Sequence, residues 1–341
     1  MKALVEALCS KQCGGRAAGT PGAALARAEL VTALRGAGLD PFEQRVPGCN
    51  GANVLASMAG ESDRWVIVAA HYDHLGEAGG RIYRGADDNA AAVAILVELA
   101  VNLARNKPRG RGVLFAAFDA EEPPFFRTDS MGSEYFARHP SVPLDKIDMM
   151  VCMDLVGHAI GGASAPDEVR NSVFALGAER SEGTAAIVDE LASAVPGVDV
   201  RRADAEITEP VSDYDAFWRR SVPFLFLTNG RSRRYHTPDD TPEHLDYPKM
   251  AATARWLEGF VRATCARPEA RVAFQTMRDD ASTLRSIDAL TRALETRDPR
   301  ASMARQMAAE LSKLCDADGR LPAARSAEAP ALIAAIEAAL S

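Results

Sequence analysis

The stretch WVIVAAHYDHLG, residues 65–76, joins a run of apolar residues to polar side chains that can bind a metal. The segment from Trp65 to Ala70 is short and continuously apolar, as expected of a strand buried on both faces. It leads to His71, a ligand-type residue, and Asp73 can accept the second ring N–H of that histidine and fix its tautomer. A His-x-Asp sequence alone also fits an ordinary loop, so a metal site here needs support from other strand ends.

The composition is typical of a soluble globular protein. The chain has 341 residues, of which 47% are hydrophobic and 25% charged, and its formal net charge is −8. This length accommodates one large α/β domain with an appendage, or two domains. An acidic chain without a basic stripe is not expected to bind nucleic acid. No apolar run reaches the roughly 18 residues needed to cross a bilayer, so we expect no membrane partner.

The first residues, MKALVEALCSKQC, lack the continuous apolar core of a secretory signal. We therefore expect a cytoplasmic protein, or a secreted or periplasmic one if the N-terminus has been trimmed. Six scattered cysteines form no C-x-x-C pair, which favours buried free thiols over a Cys9–Cys13 or Cys9–Cys49 bridge.

Apolar strand-like runs alternate with helix-like segments over most of the chain. Strands are predicted at residues 54–58, 65–70, 112–118, 148–153, 198–202 and 222–227. Helices are predicted at 23–34, 90–104, 181–194, 215–220 and 249–263, and one begins near 134; Thr20 can cap the first of them, with Pro21 at its first position. The alternation predicts an α/β fold, a three-layer sandwich with a mostly parallel central sheet flanked by helices.

Five ligand-type residues fall at or just after the predicted strand ends. Asp87 and Asp88 precede the apolar helix at 90–104, and helix capping accounts for only one of these two acids. Two adjacent glutamates, Glu121 and Glu122, follow the strand predicted at 112–118. Burying them there costs free energy unless a cation or a function requires them. Ligands bind at the carboxyl ends of strands in such sheets. The set that we expect to converge is His71, Asp88, Glu122, Asp154 and His236.

Two histidines and three carboxylates are too many ligands for one four-coordinate zinc ion, but they fit two. Each ion would take one histidine, one carboxylate and a share of a bridging aspartate and a bridging water. Two zinc ions about 3.5 Å apart lower the pKa of such a water toward roughly 7. A glutamate next to a ligand glutamate is then placed to act as a general base.

Six motifs in this order resemble a known family: HYDHLG at 71–76, GADDNA at 85–90, FDAEE at 118–122, MDLVG at 153–157, SDYDAF at 212–217 and YHTPDDTPEHLD at 235–246. The family is the zinc aminopeptidases, which also include the glutaminyl cyclases and the transferrin-receptor-like proteins. RAAGTPG at 16–22 is similar to the family's entry loop. The resemblance covers residues 10–265 and implies a phosphorylase/hydrolase-like catalytic domain over 1–265.

The resemblance implies a role for each residue of the site. Asp88 would bridge two zinc ions, with a cis peptide bond to Asn89. One ion would add His71 and Asp154, and the other would add Glu122 and His236. The catalytic residues would be Glu121 as general base and proton shuttle, Asp73 as partner of His71, and Tyr235 as a phenol that stabilises the tetrahedral oxyanion. Asp87 would have a structural role in its own loop rather than bind a metal, and Ser212 and Asp213 would lie near the metals.

The activity that this resemblance implies is a dizinc aminopeptidase acting on peptides with a free N-terminus. One alternative is a glutaminyl cyclase, an acyltransferase on the same scaffold, which favours one zinc ion and an indole at the position of Tyr235. The other is a non-catalytic binding homologue, which predicts eroded ligands. His74 could line the cleft but is expected to be a loop residue, and His158 is a less favoured candidate for the site.

Two segments depart from the family pattern. The stretch PPFFRTDSM, residues 123–131, is longer than usual, so Phe125 and Phe126 either shape a substrate pocket or cover the sheet edge. Residues 266–341 form a helical C-terminal extension with three apolar stripes. The stripes predict packing on the catalytic domain, and a dimerisation arm in a homodimer is the alternative. One stripe comprises Met303, Met307, Leu311 and Leu314.

Overall fold

A computed structural model describes residues 1–161, 164–268 and 270–340. Its strands are β1 Phe42–Val46, β2 Gly51–Met58, β3 Trp65–His71, β4 Gly76–Ala78, β5 Arg81–Tyr83, β6 Gly112–Phe118, β7 Ile147–Met153, β8 Ser172–Leu176, β9 Asp199–Ala203 and β10 Phe224–Thr228. Its helices are α1 Lys2–Leu8, α2 Pro21–Gly36, α3 Ala91–Arg105, α4 Gly132–Arg138, α5 Asp167–Arg170, α6 Thr184–Leu191, α7 Tyr214–Trp218, α8 Tyr247–Cys265, α9 Asp280–Leu294, α10 Pro299–Ser312 and α11 Glu328–Leu340.

Eight strands form one mixed sheet in the order β1-β2-β6-β3-β7-β10-β8-β9. The four central strands, from β6 to β10 in that order, run parallel. Strands β1 and β2 are antiparallel to their neighbours on one side, and β8 is antiparallel to β10 on the other. The parallel centre confirms the prediction, and it brings the carboxyl ends of four strands to one edge. Strands β1 and β8 were not predicted.

Helices cover both faces of the sheet, and β3 shows why its sequence is continuously apolar. Val66 and Val68 pack in a cluster with residues of α1, α2, α3 and α8. Ile67 and Ala69 point the other way, into a cluster with residues of α4 and α7. This central strand therefore buries every side chain after Trp65, and helices on both faces of the sheet confirm the predicted three layers.

The start of α2 has the capping residue and the proline that were predicted from the sequence. The side chain of Thr20 accepts a hydrogen bond from the Ala23 backbone N–H, and Pro21 occupies the first turn.

All six cysteines, which lie among the described residues, are free thiols. Within the described parts of the chain, no helix is long and apolar enough to span a bilayer.

The C-terminal helices share a small core of their own, built from Leu284, Ile287, Ala308, Leu311 and Leu332. They are tied to the sheet because Ser286 Oγ donates to the Arg202 carbonyl (2.6 Å) and Thr283 Oγ1 accepts from the Asp204 N–H (2.8 Å). The apolar stripe predicted for Met303, Met307, Leu311 and Leu314 is wrong in part, since all of these except Leu311 are exposed, and Leu314 lies beyond the end of α10. Helix α10 instead buries Ala301 and Ala308 beside Leu311, because small side chains allow the helices to approach closely.

A buried ion cluster holds the segment that leads into this extension. Asp148 is fully buried and accepts hydrogen bonds from Arg64 Nε (2.6 Å), Arg111 Nε (2.6 Å) and the Val272 N–H (2.9 Å). Arg111 also donates to the carbonyls of Arg267 and other residues of that segment. Burial alone would raise the pKa of Asp148, but the bonds from Arg64 and Arg111 lower it.

We expect Asp148→Ala to lower the free energy of unfolding by about 3–5 kcal/mol, because it leaves buried guanidinium groups without their counter-ion. Urea denaturation of the purified protein measures this change. Asp63→Ala is the control, since it breaks a solvent-exposed pair with Lys146 and should leave the midpoint unchanged. A wild-type midpoint for Asp148→Ala would show that the cluster does not stabilise the fold.

Candidate metal centre

Five side chains predicted from the sequence come together at the carboxyl edge of the sheet. His71 ends β3, Glu122 follows β6, and Asp154 follows β7, and these three strands are neighbours. Asp88 lies just ahead of α3, and His236 lies in the loop after β10. The sheet order therefore explains why residues up to 165 positions apart meet in one place.

The two carboxylate oxygens of Asp88 face two different histidines. Its Oδ1 lies 3.4 Å from His71 Nε2, which is 3.5 Å from Asp154 Oδ1. Its Oδ2 lies 3.2 Å from His236 Nε2, which is 3.3 Å from Glu122 Oε2. The arrangement has two sides that share one carboxylate, which is the geometry of a bridging ligand.

The donor atoms on the His71 side fit a cation. Within the described residues, His71 Nε2 and Asp154 Oδ1 are buried and have no hydrogen-bond partner. Buried polar atoms are rarely left in this state, and a bound ion is one explanation. Burial opposes a charged ring, yet the carboxylates of Glu121 and Asp154 raise the pKa of His71 well above its usual value. The site therefore has a strongly negative potential, and its nitrogen and oxygen donors suit zinc.

His74 lies in the loop after β3, as expected, and it also belongs to the site, which was the less favoured of its two expected roles. Its ring is fully buried, with Nδ1 2.8 Å from Glu122 Oε1 and 3.8 Å from Asp88 Oδ2. One oxygen each of Asp88 and Glu122 and one nitrogen of His74 lie close enough together to hold an ion. His74 therefore either orients Glu122 or competes with His236 as a ligand. The sequence signal was its place three residues after His71 in the same loop.

The segment that carries Asp88 is fixed by backbone hydrogen bonds. The carboxylate of Asp240 accepts the N–H groups of Asp87 (2.9 Å) and Asp88 (3.1 Å). Asn89 Nδ2 donates to the Met153 carbonyl (2.8 Å), and the peptide bond between Asp88 and Asn89 is cis, as the resemblance implied. The sequence did not single out Asp240, which comes from the same loop as His236.

Asp87 holds the loop after β7 rather than pointing at the candidate metal ligands. Its Oδ1 accepts the N–H of Gly157 (2.7 Å) and of His158 (3.1 Å). Its Oδ2 lies 2.7 Å from His158 Nδ1, so this ring is held against Asp87 at the wall of the cleft. The loop role expected for Asp87 therefore matches its contacts.

Asp73 differs from the prediction in how it supports the site. Its two carboxylate oxygens accept the N–H groups of Glu121 (3.0 Å) and Glu122 (3.1 Å). His71 Nδ1 lies 3.3 Å from the Asp73 main-chain oxygen, and 3.6 Å from the carboxylate. The backbone oxygen is therefore the nearer partner of the imidazole. The carboxylate is engaged by the turn that carries the two glutamates, and so Asp73 positions both elements.

Glu121 and Tyr235 stand beside these donors. Glu121 Oε2 lies 3.8 Å from His71 Nε2, and burial, with Asp154 and Asp213 nearby, raises the pKa of Glu121 well above its usual value. Burial likewise raises the pKa of Asp213 to about 7. The Tyr235 ring stacks on His236 with centroids 3.8 Å apart, and burial followed by the charge of Asp88 raises its pKa, so the phenol stays protonated.

A cavity of about 290 Å³ opens over this cluster. Its polar end contains Asp88, Glu121 and Asp154, and its walls are mostly apolar. Phe126 lines the cavity, as one of the two predicted roles for the long loop requires. Phe125 does not, because it packs against Val46 and its neighbours instead.

The chain belongs to Peptidase family M28, which matches residues 53–261. It is 30% identical over 230 residues to the Escherichia coli (strain K12) protein YfbL, covering 58% of this chain and 67% of that one. It is 27% identical over 275 residues to the glutaminyl-peptide cyclotransferase of Drosophila melanogaster, covering 68% of this chain and 72% of that one. The family predicted from the motifs is confirmed.

Solved structures show the same fold at low sequence identity. The Legionella pneumophila LapA aminopeptidase superposes with a TM-score of 0.64 at 15% identity, covering 78% of this chain and 72% of that one. The Porphyromonas gingivalis glutaminyl cyclase superposes with a TM-score of 0.60 at 21% identity, covering 77% and 98%. The predicted fold class is therefore confirmed, and family membership supports a metal-dependent hydrolase.

Proposed function

We propose that this protein is a zinc-dependent aminopeptidase that removes N-terminal residues from peptides. The observation that carries the proposal is the position of Asp88, whose two oxygens lie 3.4 and 3.2 Å from the imidazoles of His71 and His236. A carboxylate shared in this way suits a pair of ions, with His71 and Asp154 on one side and Glu122 and His236 on the other.

Zinc ions held there would supply a water of lowered pKa and Lewis acidity toward the scissile carbonyl. Glu121 is the residue placed to take the proton of that water and pass it to the leaving amine, because its carboxylate lies beside the candidate ligands, with Oε2 3.8 Å from His71 Nε2. The protonated Tyr235 phenol can donate to the oxyanion that forms. The surrounding carboxylates attract a free α-ammonium group, which favours the N-terminus of a peptide as substrate.

The proposal is tested with aminoacyl amides and dipeptides, offered with a free or an acetylated N-terminus. The zinc-loaded protein should hydrolyse only the free substrates, chelator should abolish the activity, and added zinc should restore it. An absence of hydrolysis of every unblocked substrate by the zinc-loaded protein would refute the proposed function.

Tyr235→Phe should lower kcat by about 10²-fold with little change in KM, because the lost hydroxyl interacts with the transition state more than with the substrate. Steady-state kinetics on an aminoacyl anilide measure both constants. Tyr83→Phe, a change on the β4–β5 hairpin, is the matched control and should keep wild-type kinetics. An unchanged kcat in Tyr235→Phe would show that the phenol has no role in the chemical step.

Glutaminyl cyclase activity is the second candidate. It is favoured by the glutaminyl-peptide cyclotransferase of Drosophila melanogaster, which aligns with 68% of this chain. The complete donor set on the His71 side and the phenol of Tyr235 favour hydrolysis instead. A peptide with an N-terminal glutamine separates the two activities, because cyclisation releases ammonia whereas hydrolysis releases free glutamine.

A further inference from the structure

The C-terminal helix α11 forms one wall of the cavity above the candidate metal ligands. Its residues Ile333, Ile336, Glu337 and Leu340 line the same cavity as Asp88, Glu121 and Asp154. These positions lie outside residues 53–261, the part of the chain that matches the family. The sequence predicted only that the extension packs on the catalytic domain, so its presence at the site is a separate observation.

Helix α11 divides its apolar residues between two surroundings. Ala329 and Leu332 are buried in the small core that the C-terminal helices share. Ile333 and Ile336 are half-buried: they pack in part against that same core and also line the cavity. Leu340 lines the cavity too and packs against a separate apolar cluster. The helix is thus anchored in the small core, and the two isoleucines beside that core also form part of the cavity wall.

The opposite wall of this end of the cavity is also apolar. The lining from β8, β10 and the loops beside them includes Phe174, Leu176, Val211 and Phe226, and Phe174 packs against the same apolar cluster as Leu340 of α11. The cavity therefore has a carboxylate-rich end at the candidate metal ligands and an apolar end under α11. A ligand that matches both ends has a polar reacting group joined to a single apolar side chain.

Helix α11 is also connected to the loop that carries Tyr235 and His236. Glu337 Oε1 accepts the backbone N–H of Arg231 at 2.7 Å, and the Arg231 guanidinium lies over the Tyr235 ring, 5.0 Å from its centroid. The same carboxylate oxygen lies so close to Gly230 that a Cβ added to this glycine would be 3.1 Å from it. The position of the helix is therefore fixed relative to the reacting groups.

We propose that α11 determines specificity by binding the apolar side chain of the substrate's N-terminal residue between Ile333, Ile336 and the facing strands. This inference rests on the proposed aminopeptidase function and adds a substrate class to it. A pocket of this kind distinguishes side chains by their size, with each added methylene changing kcat/KM by about 10-fold or more.

The test compares kcat/KM for leucyl and alanyl p-nitroanilides in three full-length, zinc-loaded variants. Ile336→Ala should lower the leucyl-to-alanyl ratio about 10-fold and leave the alanyl value nearly unchanged. Ile336→Phe should fill the pocket and reduce leucyl turnover selectively. Ala335→Ser is the matched control on the exposed face of the same helix and should keep the wild-type ratio.

Binding gives a second readout that does not depend on turnover. Free leucine should raise the Tm of the wild-type protein more than free alanine does, and Ile336→Ala should remove that difference. If wild type hydrolyses these anilides but both Ile336 variants keep its ratio, the role of α11 is overturned and the aminopeptidase proposal stands. If wild type hydrolyses neither anilide, nor any other unblocked substrate, both proposals fall.

Discussion

Glu121→Gln is expected to lower kcat by about 10³-fold while leaving the bound metal unchanged. The variant keeps the size of the side chain but removes the carboxylate that accepts a proton. Glu121 is buried beside His71, with Oε2 3.8 Å from the imidazole Nε2, while the neighbouring carboxylates of Asp88 and Asp154 are placed as metal ligands. KM should change little, because the proton is transferred during the chemical step.

Kinetics and metal content are measured on the same preparation of the variant. Glu77→Gln, an exposed change on β4, serves as the matched control and should retain full activity. Near-wild-type turnover in Glu121→Gln would contradict the assignment of the general base. Loss of metal together with activity would show that Glu121 acts as a ligand instead.

Asp88→Asn should weaken zinc binding by more than about 10²-fold on both sides of the site. Changes to residues that merely orient metal ligands cost about 10–100-fold in affinity, and Asp88 is placed as a ligand common to both ions. Replacing one oxygen by an amide also removes a negative charge from between the two histidines. Metal content after dialysis against dilute zinc, measured by mass spectrometry, reports this loss.

Asp87→Asn is the matched control for this change, since it neutralises the adjacent residue, whose carboxylate accepts the N–H groups of Gly157 and His158. That variant should keep its metal. Retention of all bound zinc by Asp88→Asn would show that the two sides do not share this carboxylate.

The central fold was predictable because burial leaves a local signature. Strand β3 is covered on both faces, so its sequence is apolar from Trp65 to Ala70, and β6 is apolar throughout for the same reason. Strand β7 is also buried and is apolar except for Asp148. Strand β1 was missed because it lies at the sheet edge, where the three residues between Phe42 and Val46 are all polar. Strand β8 was missed because its five residues sit between two short connections.

The site was predictable to the extent that its residues end strands. Asp240 was missed, and a place for His74 at the site was the less favoured expectation, because the importance of both comes from contacts across the chain, His74 with Glu122 and Asp240 with the Asp88 backbone. The position of α11 at the cavity depends on how the C-terminal helices pack against the rest of the protein, and helical periodicity in the sequence does not predict that packing. The domain division at residue 265, the cytoplasmic location and the alternative of a homodimer stay predictions.

The most direct test of this account is anomalous diffraction from crystals of the zinc-loaded protein, recorded on both sides of the zinc absorption edge. The account predicts two peaks about 3.5 Å apart, one on each side of the Asp88 carboxylate. The first should lie between His71 and Asp154, and the second beside Glu122 and His236. A single peak, or a pair of peaks that Asp88 does not join, would contradict it.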